Sequence, residues 1–92
     1  MAIPVDVHCE PAGDGWTCQV TVGGAGAPTT HEVAVTAADL ALLAPGAQDP
    51  ADLVHRSFVF LLAREPKNSI LARFELPVIG RYFPEYEREI RR

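Results

Sequence analysis

The most constraining feature of this 92-residue chain is a stretch over residues 49–66 that begins and ends with helix signals. Asp49 can accept backbone N–H bonds as an N-cap, and Pro50 suits the first helical position, where its missing N–H does no harm. Pro66 forbids continuation, so the helix should end one or two residues before it. The stretch therefore predicts one long helix.

Inside this helix, residues 58–62 are five consecutive apolar residues, FVFLL. At about 100° per residue, five consecutive side chains point to every side of a helix. Such a helix must be covered on at least two sides, by its own sheet, by the C-terminal segment or by another copy of the chain. We therefore expect a long buried helix with an apolar surplus.

The N-terminal part alternates between apolar and polar residues over residues 3–9 and 16–22, as half-covered antiparallel strands do. A two-residue turn at Gly13 and Asp14 puts every apolar side chain of this hairpin on one face. The pairs are then Pro11 with Trp16, Cys9 with Cys18, Val7 with Val20 and Val5 with Val22. Residues 31–36 continue the pattern, which predicts a three-stranded antiparallel meander.

Short helices are expected after the sheet and after the long helix. Thr36 and Asp39 form a capping-box pattern at the start of residues 37–43. Further short helical segments are expected at residues 69–74, 78–83 and 85–92. The chain is therefore predicted to be a single α+β domain over residues 1–92, with the sheet in residues 1–36 and the helical part in residues 37–92.

Composition is typical of a globular domain, with 48% hydrophobic and 22% charged residues. No apolar run approaches the roughly 20 residues that span a bilayer, and the first residues lack the positive charge of a signal peptide. We therefore expect a cytoplasmic protein with no membrane contact. In a reducing compartment Cys9 and Cys18 should be free thiols.

Charge is distributed unevenly along the chain. The first 55 residues contain seven acidic residues and no lysine or arginine, whereas all eight basic residues follow. The simplest interpretation is that the two halves face each other, within one chain or across a dimer; the alternative is an anionic partner for the basic half. The candidate contacts for an anionic partner are Arg73, Arg81, Arg88, Arg91 and Arg92.

Metal binding and catalysis find little support in the spacing of reactive residues. His31 should lie near Ile3, at the far end of the meander from the cysteines, which separates the potential zinc ligands. His55 and Ser57 are two apart on a helix and point in different directions. The glycines after Val22 lack the lysine of a phosphate-binding loop. We therefore predict no metal ligand, no cofactor and no catalytic residue.

The C-terminal half contains the segments LVHRSFVFLLAREPKNSILARF and YFPEY within residues 53–86. This pattern resembles that of a family of small uncharacterised bacterial proteins. The resemblance implies the same element boundaries and brings no activity, cofactor or partner.

These observations predict a small interaction module, most simply a homodimer, that uses its apolar surplus as a contact surface. The candidate interface residues are Phe58, Leu61, Leu62, Val78, Ile79, Tyr82 and Phe83. One alternative is a regulatory nucleic-acid-binding or antitoxin-like protein that uses the arginine-containing C-terminal segment. The other is an enzyme whose site is assembled from residues distant in the sequence.

Overall fold

A computed structural model of the chain describes residues 3–24 and 26–91 and shows an α+β fold, in which helices cover one face of a four-stranded mixed sheet. In chain order the elements are β1 (Val5–Ala12), β2 (Gly15–Val22), β3 (Thr29–Thr36), α1 (Ala37–Leu43), α2 (Pro50–Leu62), a 3-10 turn (Lys67–Ser69), β4 (Arg73–Glu75), α3 (Val78–Tyr82) and α4 (Tyr86–Ile90). The sheet order is β1-β2-β3-β4.

Strands β1, β2 and β3 form the antiparallel meander that the alternation predicts. Gly13 and Asp14 make the two-residue turn, and Gly13 has a φ of 62°, which a residue without a Cβ adopts at little cost. All four predicted residue pairs between β1 and β2 are confirmed. The inner face of the meander therefore carries the apolar residues that the helices cover.

The fourth strand corrects the prediction of a helix over residues 69–74. Arg73–Glu75 adds to β3 in parallel, so the sheet has one strand more than the expected meander. The Glu32 N–H donates to the Ala72 carbonyl oxygen at 2.8 Å, and the Leu76 N–H donates to the Ala34 carbonyl oxygen at 3.0 Å. On the side away from β2, the backbone N–H and C=O groups of β3 need hydrogen-bond partners, and residues 72–76 supply them.

The two helix starts that are predicted from capping residues are confirmed. At α1, the Asp39 N–H donates to Thr36 Oγ1 and the Thr36 N–H donates to Asp39 Oδ2, each at 3.0 Å. At α2, Asp49 Oδ1 accepts the N–H of Ala51 at 2.9 Å. The helix α2 ends at Leu62, which is two or three residues before the end predicted from Pro66.

The expectation of a long buried helix is not confirmed, although α2 is covered on two sides. Phe58, Phe60 and Leu61 are buried, but Val59 is 52% exposed and Leu62 is only half-buried. The sheet lies against one side of the helix and α4 lies against another. The remaining side of the helix, which carries Val59, faces solvent. None of the helices in the described ranges is both long and apolar enough to cross a membrane.

The last helix, α4, lies within the short helical segment expected at residues 85–92 and belongs to the core. Tyr86 and Ile90 are both buried. Arg64 at the end of α2 places its guanidinium carbon 3.5 Å from the centre of the Phe60 ring and donates to the Glu89 carboxylate at 3.3 Å. Apolar burial and an ion pair together hold α4 against α2.

Candidate functional site

The two cysteines form a disulfide, which corrects the expectation of free thiols. Cys9 and Cys18 are direct cross-strand neighbours, and their Cα atoms are 3.9 Å apart. The hairpin register puts both side chains on the inner face, where a bond can form. The bond joins β1, an edge strand of the sheet, covalently to β2.

His31 is a buried structural link and has no free ring nitrogen. Nδ1 lies 2.8 Å from the Leu71 carbonyl oxygen, which can only accept, so Nδ1 carries the proton. Nε2 then accepts from Thr29 Oγ1 at 2.9 Å. The prediction that His31 lies near Ile3, at the far end of the sheet, is wrong. His31 pairs with Val20. In the part of the chain that the structure describes, no three or more His, Cys, Asp and Glu side chains are grouped to hold a metal.

A buried hydroxyl pair was missed by the sequence reasoning. Ser57 Oγ donates to the Leu53 carbonyl oxygen at 2.8 Å and accepts from the Tyr86 hydroxyl at 2.7 Å. Burial raises the pKa of Tyr86 to about 12. The only signal in the sequence was a serine just before the apolar run. Because both hydroxyls are satisfied and enclosed, the pair stabilises the core and offers no nucleophile to solvent.

The candidate interface residues are divided by the structure into a buried group and an accessible group. Phe58, Leu61 and Ile79 are part of the chain's own core and offer almost no surface to a partner. The accessible members are Leu62, Val78 and Phe83, which are half-buried, and Tyr82, which is 67% exposed. Three of these four, Val78, Tyr82 and Phe83, lie together on or next to α3.

An apolar cavity of about 330 Å³ opens to solvent beside α3, between the end of α2 and the segment that leads into β4. Leu61 and Ile79 contribute to its lining from the core, and Glu65 and Ser69 are its polar members. We call the accessible apolar lining of this cavity the groove face, which consists of Leu71, Phe74, Val78, Tyr82 and Phe83. Leu71 and Phe74 were missed because we assigned them to a helix.

The candidate contacts for an anionic partner are spread over three elements. Arg73 on β4 lies 3.6 Å from Glu32, and Arg91 after α4 lies 3.8 Å from Glu87. Arg81 on α3 and Arg88 on α4 are exposed, and Arg92 lies outside the described residues. Because acids accompany two of these arginines, binding of an anionic partner stays a prediction.

Few ion pairs connect the acidic and the basic half of the chain among the described residues. Glu32 with Arg73 is an ion pair that joins the two halves across the sheet, and Asp52 with Arg56 joins them within α2. The other arginine ion pairs among the described residues lie within the basic half. Ion pairs between the two halves of the described chain therefore balance little of the uneven charge.

Comparisons with protein-family models, with curated proteins and with solved structures give no match.

Proposed function

We propose that this protein is a small interaction module that self-associates through the groove face. The observation that supports this most is the open apolar cavity of about 330 Å³ next to Leu71 and Tyr82, which are 49% and 67% exposed. Grouped apolar surface of this kind commonly marks a site of protein contact. A lone exposed apolar side chain, such as Val59 on α2, carries no such meaning.

A second copy of the chain is the partner that this surface suits. The groove face combines a concave apolar surface with a projecting aromatic side chain, Tyr82, on the same patch. A two-fold contact requires one patch to be complementary to itself. The groove face meets this requirement if Tyr82 of each copy enters the cavity of the other. Each groove-face residue then occurs twice in the contact, once in each copy. Full burial of a large apolar side chain contributes about 1.5–3 kcal/mol.

Sedimentation velocity on a matched pair of variants tests this proposal. Leu71 and Leu42 are 49% and 50% exposed, but only Leu71 lines the cavity. We expect the wild-type chain and Leu42→Asp to form a dimer over a wide concentration range, whereas Leu71→Asp should remain monomeric. Far-UV circular dichroism checks that both variants keep the fold.

Two results would reject the proposal. The wild-type chain could sediment as a monomer at every concentration, at both low and high salt. Alternatively, Leu71→Asp and Leu42→Asp could dimerise equally well, which would mean that association uses a surface other than the groove face.

A further inference from the structure

The outer edge of β4 is open along the whole strand. Among the described residues, β4 is the last strand of the sheet and pairs only with β3. The bonds from Glu32 N–H to Ala72 and from Leu76 N–H to Ala34 show that even-numbered residues join the two strands. By alternation, the backbone N–H and C=O groups of Arg73 and Glu75 point away from β3, towards solvent.

The charged side chains of β4 are complementary to those of a second copy of the same strand. In an antiparallel pairing of two β4 strands centred on Phe74, Arg73 of each copy lies opposite Glu75 of the other. Both residues have outward-pointing backbone groups, so each pair exchanges two N–H···O bonds, and the two-fold axis doubles the number to four. The two side chains of each pair lie on the same face of the sheet with opposite charge.

We propose that two copies of the chain associate edge to edge through β4, in an antiparallel register centred on Phe74. This rests on the self-association proposed above and assigns its geometry. Two four-stranded sheets then become one continuous sheet. Phe74 lines the cavity and meets Phe74 of the second copy at a position where side chains are closest, so the two groove faces merge.

The other open edge of the sheet does not suit such a contact. β1 carries Asp6 and Glu10 on its exposed face, together with His8 and with no lysine or arginine. Two copies of β1 side by side bring acidic residues near acidic residues, which is unfavourable. β4 therefore is the edge whose charges favour pairing with a second copy.

Charge-reversal variants test the register directly. In Arg73→Glu alone, and in Glu75→Arg alone, both cross-strand pairs of the homodimer have like charges. An equimolar mixture of the two variants restores opposite charges at both pairs of the heterodimer. We expect each variant alone to dimerise about tenfold more weakly than the wild-type chain at low salt, and the mixture to recover wild-type affinity.

The mixture also controls for the contact that Arg73 makes within its own chain. Arg73→Glu places a carboxylate near Glu32 of its own chain, but this repulsion is present in the free monomer as well as in any dimer. Recovery in the mixture therefore cannot come from relief of this repulsion. A mass tag on one variant identifies the heterodimer.

Each remaining outcome overturns a specific claim. A wild-type dimer whose affinity is unchanged by either reversal, or a mixture that gains nothing over the single variants, overturns the β4 register and leaves association through the groove face standing. A wild-type chain that remains monomeric overturns both proposals.

Discussion

The hydroxyl oxygens of Ser57 and Tyr86 lie 2.7 Å apart inside the core and connect α2 to α4. The Ser57 hydroxyl donates a hydrogen bond to the Leu53 carbonyl oxygen, so it accepts a hydrogen bond from the Tyr86 hydroxyl. Both residues are almost completely buried. This bond adds a buried polar link between α2 and α4 to the apolar packing and to the ion pair of Arg64 with Glu89.

A double-mutant cycle should show that the two hydroxyls depend on each other. Tyr86→Phe removes one hydrogen bond and should cost about 1 kcal/mol of unfolding free energy. Ser57→Ala leaves the buried Tyr86 hydroxyl without its partner and should cost roughly 1–3 kcal/mol. Urea denaturation of the double variant should show a smaller loss than the sum of the single losses. Strictly additive losses would contradict the pairing.

Stability should fall at alkaline pH because of Tyr86. Burial raises its pKa from 10.0 in the unfolded chain to about 12 in the fold, so the folded state keeps the phenol proton longer. This contribution is complete below pH 10 and is lost as the pH rises towards 12, by roughly 2–3 kcal/mol in total.

The Tyr86→Phe variant provides the control for this alkaline effect. Its unfolding free energy should change less between pH 9 and pH 11.5 than that of the wild-type chain. An equal alkaline loss in both proteins would assign the effect to another group.

Acid should weaken the contact between α2 and α4. The pKa of Glu85 is lowered by a hydrogen bond from its own backbone N–H and by the Arg64 side chain. A lowered pKa contributes stability above the unfolded value of 4.5 and loses it as the pH falls through the folded value. Arg64→Met keeps the aliphatic stem and removes the charge. Its deficit in unfolding free energy relative to the wild-type chain should shrink between pH 7 and pH 3; a constant deficit would show that the ion pairs contribute nothing.

Thiol counting should confirm the disulfide. Alkylation of the denatured, unreduced chain should label no cysteine, and labelling after reduction should reach both Cys9 and Cys18. Reduction should lower the unfolding free energy by roughly 2–3 kcal/mol, the value expected for a loop of about ten residues. Two reactive thiols in the unreduced chain would contradict the structure. A bond that persists would count against the cytoplasmic location expected from the sequence, since reducing compartments rarely keep disulfides.

The parts of the fold that the sequence predicted are those determined by neighbouring residues. The hairpin register follows from alternation and from the Gly13-Asp14 turn, and the start of α1 follows from Thr36 and Asp39. These signals need no knowledge of the rest of the molecule.

The parts that could not be predicted depend on contacts between distant segments. β4 is three residues long, too short for any period to show, and it forms because β3 has backbone groups to satisfy. The burial of Tyr86 could not be predicted from its neighbours in the sequence, because its partner Ser57 lies 29 residues earlier in the chain. Only part of the groove face could be predicted for the same reason, because Phe74 joins it on β4 and Leu71 lies in the segment that leads into this strand.

The covalent tie between Cys9 and Cys18 restricts how copies of this chain can combine. An edge strand that can leave its own sheet can be exchanged between molecules, which gives intertwined dimers that separate only by partial unfolding. β1 cannot be exchanged alone while its bond to β2 is intact. Exchange of β1 alone is therefore not a route by which copies of the oxidised chain can form intertwined dimers.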